Sequence, residues 1–313
     1  MPEPKRLIGV VLLLACLAAP VAAWPASRDR DDDGLPDRWE RRYDLSTKKP
    51  TARRRDTDFR VGINIEDVTD ANIVLDHNLH HDLNGHEWSA AVHLSYGSDT
   101  PSGVTIQNSL FRDMSADAIQ HGPAMKVLNN EFANVDPLAA GGDASLHTDA
   151  VQAYTGCSGS IGSTITGNYF HDGEQAIGAF DGTCRLTIED NVIQNFSAHQ
   201  ITLGGDRPGS SIRHNTIVGT GPRLIDCAGK PGFEPSLTSI RDNIADDILL
   251  IGATNCTPSA NDHNMLSSAG GQNFAGIPRF VGGAHPTTYA GFRLAPGSPG
   301  RGRASDGRDV GIR

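Results

Sequence analysis

Apolar positions along this chain come in short bursts, separated by Asn, Gly, Asp and Ser, and within the repeating part they do not fall at helical spacing. One burst recurs as Asn64-Ile65-Glu66, Ala91-Val92-His93, Ala118-Ile119-Gln120, Ala150-Val151-Gln152, Ala176-Ile177-Gly178, Gln200-Ile201-Thr202 and Leu224-Ile225-Asp226, with Leu249 continuing the series. Its centres are 27, 27, 32, 26, 24, 24 and 24 residues apart. A second burst keeps the same phase: Leu75, Ile106, Val127, Ile165, Ile188, Ile212 and Ile240, each followed three residues later by Asn or, once, Ser109. Two residues further on an apolar side chain often returns, as Phe111, Phe132, Phe170, Ile193 and Ile217. Units this short cannot bury an apolar face alone, whereas stacked coils make a continuous core. The pattern therefore predicts a parallel β-solenoid of two or three short strands per coil. The recurring Asn is expected to stack from coil to coil and satisfy backbone groups at the bends. Propeller blades need about 40 residues or more, too many for this spacing. The stretch of 32 before Val151 is read as an insertion that leaves the columns in register.

Composition agrees with many tight coils: 35 Gly, and 10 Phe, 5 Tyr and 3 Trp among 313 residues. The net charge of −10 is unevenly spread, since residues 24–60 hold 11 Lys/Arg and 9 Asp/Glu whereas residues 61–290 hold 9 and 25. Phosphate neutralisation needs a basic face, so a nucleic-acid partner is excluded as an expectation. An unassisted grip on a strongly anionic polymer is disfavoured for the same reason.

The first residues read as an export signal: Lys5 and Arg6, an apolar run over residues 7–20, then Val21-Ala22-Ala23. Cleavage is expected after Ala23, and Cys16 offers a weaker lipoprotein alternative. No later stretch is apolar enough to span a bilayer. The mature chain would keep four cysteines in an oxidising compartment, which favours disulfides. Cys157 and Cys184 are 27 apart and Cys227 and Cys256 are 29 apart, each about one coil, so these are the expected pairs.

Behind the signal, Asp29-x-Asp31-x-Asp33-Gly34-Leu35-Pro36-Asp37-x-x-Glu40 sets oxygens at loop positions 1, 3, 5, 7, 9 and 12 and Gly at 6. That is the cage calcium needs, with Asp29, Asp31, Asp33, Asp37 and Glu40 giving side chains and Leu35 a carbonyl. With Pro36 at position 8 it resembles the calcium loops of thrombospondin type 3 and dockerin-like repeats. A structural or tethering ion is expected there.

The Ile-x-x-Asn-x-Phe/Ile coils resemble the right-handed parallel β-helix family of secreted bacterial proteins, the superfamily of pectate lyases and other carbohydrate-active enzymes. The ending, Phe292-Arg293-Leu294-Ala295-Pro296-Gly297-Ser298-Pro299 followed by Asp309-Val310-Gly311, is similar to the last coil of such proteins. The resemblance implies an all-β, single-stranded, right-handed parallel β-helix over residues 59–313, after a signal over 1–23 and a calcium-loop segment over 24–58. It also implies a monomer, secreted or held at the bacterial surface, that meets a polysaccharide or cell-wall glycan.

Aligned coils place one column at Glu66, His93, Gln120, Gln152, Gly178, Thr202 and Asp226, with Tyr154 and Phe180 further along. Where the chain enters this strand the column reads Ala90, Asp117, Asp149, Gln175, His199 and Arg223. Amides, carboxylates, imidazoles and aromatic faces suit a sugar polymer. The densest constellation is His147-x-Asp149-x-x-Gln152 beside Asp117-x-x-Gln120-His121. Asp117 and Asp149 would share a proton, one serving as general acid of a glycosidase. In a lyase, His147, His199, Tyr154 or Arg223 would act as base while a cation, calcium among them, neutralises the substrate carboxylate. The catalytic candidates are thus Asp117, His147, Asp149 and His199; the substrate-binding candidates are His93, Gln120, Gln152, Tyr154, Gln175, Phe180 and Arg223. A non-catalytic glycan-binding surface protein is the alternative, as is the plainer reading in which both acids cap turns. The histidines around Asp76-His77 and His80-His81-Asp82 are expected to be structural. The motifs that define polygalacturonases, the largest family of β-helical pectate lyases and the alginate epimerases are absent; of the first set only His147-Thr148-Asp149 has a counterpart.

Overall fold

The computed structural model describes residues 61–313 apart from 66–71, 86–88, 95–102, 123, 154–161, 181–182, 184, 205–208, 230–236 and 253. The signal, the calcium loop, Glu66, Tyr154, Cys157 and Cys184 lie outside the described residues, as does the side chain of Phe180. All described residues belong to the unit Arg54–Arg313.

The strands stack into three sheets, and each of the central coils gives one strand to each in turn. The first sheet is built from Val61–Ile65, Ala90–Leu94, Asp117–His121, Asp149–Ala153, Gln175–Phe180, Ile201–Gly204, Leu224–Gly229 and Asp247–Gly252, all parallel. Its ninth strand, Thr254–Asn255, pairs antiparallel with Leu224–Gly229. The second sheet has nine strands and the third six. The architecture is a parallel β-helix, and its helical content among the described residues is two 3-10 turns.

The second and third sheets follow the expected register. Leu75, Ile106, Val127, Ile165, Ile188, Ile212 and Ile240 are successive partners. At the bend after each of them sits a residue with positive φ, such as Asn108, Asn129, Asp190 or Asp242. Asn and Asp tolerate that left-handed geometry because their short polar side chains bond locally. The next residue is the recurring Asn. Asn191 Oδ1 accepts the Asn168 backbone N–H at 3.1 Å, and Asn191 Nδ2 donates to the Ile165 carbonyl at 2.9 Å and to Asn215 Oδ1 at 2.9 Å. The same bonds link Asn130, Asn168, Asn215, Asn243, Asn264 and Asn273 in sequence. The ladder is structural, as expected.

Inside the third sheet His80, Phe111, Phe132 and Phe170 form a near-parallel stack with centroids 4.6, 5.0 and 4.6 Å apart. Burial holds His80 neutral by pushing its pKa down to about 4, in keeping with its place in an aromatic slot. Neighbouring His77 and His81 pair with Asp76 and Asp82, each at 2.8 Å. Cys227 and Cys256 are bonded across one coil, with Cα atoms 5.6 Å apart.

The first sheet departs from the expected register at its two ends. Ile63, not Ile65, is the partner of Val92, which sets Asn64 rather than Glu66 beside His93. At the other end Ile248, not Leu249, partners Ile225. Between them Val92, Ile119, Val151, Ile177, Ile201 and Ile225 align as expected, so the longest spacing is an insertion and not a register change.

Candidate functional site

Three consecutive strands of the first sheet begin at Asp117, Asp149 and Gln175, and His199 precedes the fourth. The insertion before Asp149 turns through Ala139–Gly141 and returns along Asp143, whose Oδ1 accepts the Ser145 N–H at 2.8 Å. It is anchored by Glu174, whose Oε2 accepts the Thr148 N–H at 2.8 Å and the Thr148 hydroxyl at 3.2 Å. That anchor holds His147 over the start of the next strand.

The two aspartates stand together with different surroundings. Asp117 Oδ1 accepts the Asp149 backbone N–H at 2.8 Å and Oδ2 accepts Gln120 Nε2 at 2.7 Å. Asp149 is fully buried, and neither of its carboxylate oxygens accepts a hydrogen bond of ordinary geometry. His147 Nδ1 is 3.6 Å from Asp149 Oδ2, and the His147 side chain is 54% exposed. One ligand atom from each of Asp117, His147 and Asp149 lies within 4.8 Å of the other two.

Burial raises the Asp117 pKa to about 7, with the Glu174 charge adding to the rise against the bonds from Asp149 N–H and Gln120. Burial also raises the Asp149 pKa well above the ordinary carboxylate value, helped by the charges of Asp117 and Glu174 and opposed by a hydrogen bond from the Gln152 side chain. Among the described residues, the groups bearing on these two carboxyls apart from His147 are acids and amides, with no Lys or Arg.

Two coils beyond Asp149, His199 Nδ1 is 3.1 Å from Asp226 Oδ2. The imidazole is 53% exposed and the carboxylate 8%. The bond to Asp226 raises the His199 pKa above its ordinary value, with the charges of Asp226 and Glu174 adding and burial opposing. An imidazole held by Nδ1 keeps Nε2 for chemistry.

The other expected residues divide. Gln120, Gln152, Gln175 and Asp226 are in the expected columns, yet they are buried and do not line an open groove. His93 bonds Asn64 Oδ1 through Nδ1 at 2.8 Å. Arg223 is tied to Asp246, with Nε 2.6 Å from Oδ2, so its charge is already matched. Glu174 and the Asp226 partnership were missed. Glu174 lies one residue before the column that includes Gln175, where other coils carry Ala116, Thr148 and Ala198, and a lone acid among small residues was its signal.

A family model described as "Right handed beta helix region" matches residues 90–262, more than half of the chain and the whole of this cluster. The chain belongs to the right-handed β-helix family. The match fixes the hand of the coil and covers every strand that carries the site. No curated protein matches the chain. Among the described residues no helix is long and apolar enough to cross a membrane.

Proposed function

We propose that this right-handed β-helix protein is a secreted carbohydrate-active enzyme that cleaves an extracellular polysaccharide at the start of the central strands of its first sheet. The observation that carries the reading is the His199–Asp226 pair, on the same sheet as Asp117 and Asp149 and within reach of the Glu174 charge. An exposed imidazole backed by a buried carboxylate is a general base with a raised pKa. Asp117 and Asp149 are buried, so the two-carboxylate glycosidase geometry is disfavoured and proton transfer by histidine is favoured.

In the reaction so implied, a lyase acting on a uronate, His199 Nε2 takes the proton beside the sugar carboxylate. The electron pair left behind becomes the new C=C bond as the glycosidic C–O bond breaks. The departing sugar oxygen then receives a proton from a protonated neighbour or water. The N-terminal loop of Asp29, Asp31, Asp33, Leu35, Asp37 and Glu40 would hold calcium as a structural or tethering element, and Cys157–Cys184 would be a second staple. A monomer, free or held at the cell surface, is proposed with it.

A second reading, a non-catalytic glycan-binding surface protein, draws on one observation. Asp117 accepts the Asp149 backbone N–H and Gln120 Nε2, the place of a structural acceptor at a strand start rather than of a free catalytic acid. Incubation with neutral and uronic-acid polysaccharides separates the readings. New reducing ends with unsaturated products mark a lyase, reducing ends alone a hydrolase, and retention on the glycan without new ends a binder.

A further inference from the structure

We infer that Asp117, His147 and Asp149 form a binding site for a divalent transition ion of the zinc type. The site stands whether the chain cleaves glycans or only binds them; if the proposed lyase reading holds, the ion is held two coils from its base on the same sheet.

The first argument is geometric. Metal–ligand distances of 2.0–2.2 Å at tetrahedral angles put ligand atoms about 3.3–3.6 Å apart. His147 Nδ1 and Asp149 Oδ2 are 3.6 Å apart, too far for a hydrogen bond and right for two ligands of one ion. Asp117 supplies a third atom within 4.8 Å of both.

The second argument is the state of Asp149. A fully buried carboxyl whose oxygens accept no hydrogen bond of ordinary geometry, with only the Gln152 amide reaching toward it, is costly unless a cation or a proton meets it. The side chains that bear on it are acids, an amide and His147. Asp117 is by contrast oriented by two donors, the Asp149 N–H and Gln120 Nε2, each leaving lone-pair capacity toward the cluster. Outer bonds of that kind are how metal-binding carboxylates are normally held.

The chemistry of the set selects the ion. Calcium takes six to eight oxygens, and a buried cluster with an imidazole does not offer them. Two carboxylates and one imidazole suit zinc, manganese or cobalt, and three protein ligands leave a position for water or a sugar oxygen. The calcium expected at the groove is thus replaced by an imidazole-accepting ion.

The test uses the full-length chain, stripped with a chelator and titrated with zinc alone by calorimetry, with cobalt as a spectroscopic probe. Wild type is expected to take up one zinc at this site and to give the intense visible bands of four-coordinate cobalt. His147→Ala, at an exposed position outside any strand, and Asp149→Asn should each abolish that uptake. Gln120→Leu should weaken it about 10–100-fold. Calcium uptake at the N-terminal loop should be unaffected by these changes and lost in Asp31→Ala/Asp33→Ala. Zinc uptake and cobalt bands unchanged in His147→Ala and Asp149→Asn, or no zinc uptake by wild type, would overturn the site. Glycan turnover plays no part in this readout, so its failure is separate from failure of the lyase reading.

Discussion

Nδ1 of His199 lies 3.1 Å from Oδ2 of Asp226, which ties a half-exposed imidazole to a nearly buried carboxylate. The bond favours the imidazolium and raises the pKa above 6.5. As the base of a lyase, His199 must be neutral, so kcat/KM should rise with pH through that elevated value. Asp226→Asn removes the charge and should move the rise to lower pH, measured as the acid limb of the pH–rate profile. A limb that stays in place would mean another group titrates. The pair also makes a stability contribution that is present below the ordinary histidine value and lost as pH rises through the folded one.

The carboxyls of Asp117 and Asp149 make the opposite kind of demand. Burial raises Asp117 from 3.8 to about 7, so the folded chain binds a proton that the unfolded chain has lost. Stability of the metal-free protein should therefore fall as pH rises from about 4 through about 7, with the raised Asp149 adding to the loss. Urea unfolding at pH 5 and pH 8 checks this, and Asp117→Asn, which keeps the acceptor for the Asp149 N–H, should shrink the difference to the part that Asp149 carries. An equal pH dependence in the variant would contradict the assignment.

The asparagine ladder predicts a large structural effect far from the site. Asn191→Ala would strand the Asn168 N–H and the Ile165 carbonyl, both buried. At about 1–3 kcal/mol for each buried group left unpaired, a loss of roughly 2–6 kcal/mol is expected. Asn191→Ser should cost less, because Ser109 already serves in one rung, accepting the Asn78 N–H at 3.0 Å. Chemical denaturation of the two variants checks the order.

Phe132 is fully buried between Phe111 and Phe170. Phe132→Ala opens a cavity in the middle of the stack and should cost about 3–5 kcal/mol. Phe132→Leu should recover much of it. A loss below about 1 kcal/mol for the alanine variant, read from the shift in unfolding midpoint, would mean the stack adds little.

The second and third sheets were legible in the sequence because their register is written in chemistry. A left-handed bend wants Asn, Asp or Gly, and the position after it wants an amide that can both donate and accept. Ile165-x-x-Asn168 therefore has no equally good alternative frame. The ends of the first sheet lack such a marker. Ile63 and Ile65 both fit an apolar column, as do Ile248 and Leu249, and only pairing with the next coil selects between them. At the site, spacing alone brought Asp117, His147 and Asp149 together. Burial was not legible, because it depends on how the connections between coils fold over the sheet. Glu174 escaped because its role comes from anchoring Thr148 in the insertion, a contact 26 residues away in sequence.

The most direct test of the account is turnover of uronic-acid polysaccharides by wild type and His199→Ala in parallel, scored for unsaturated products and new reducing ends. The account predicts both signals from wild type and their loss in the variant, with glycan binding retained. Full activity in His199→Ala, or binding by wild type with no product from any glycan, would contradict it.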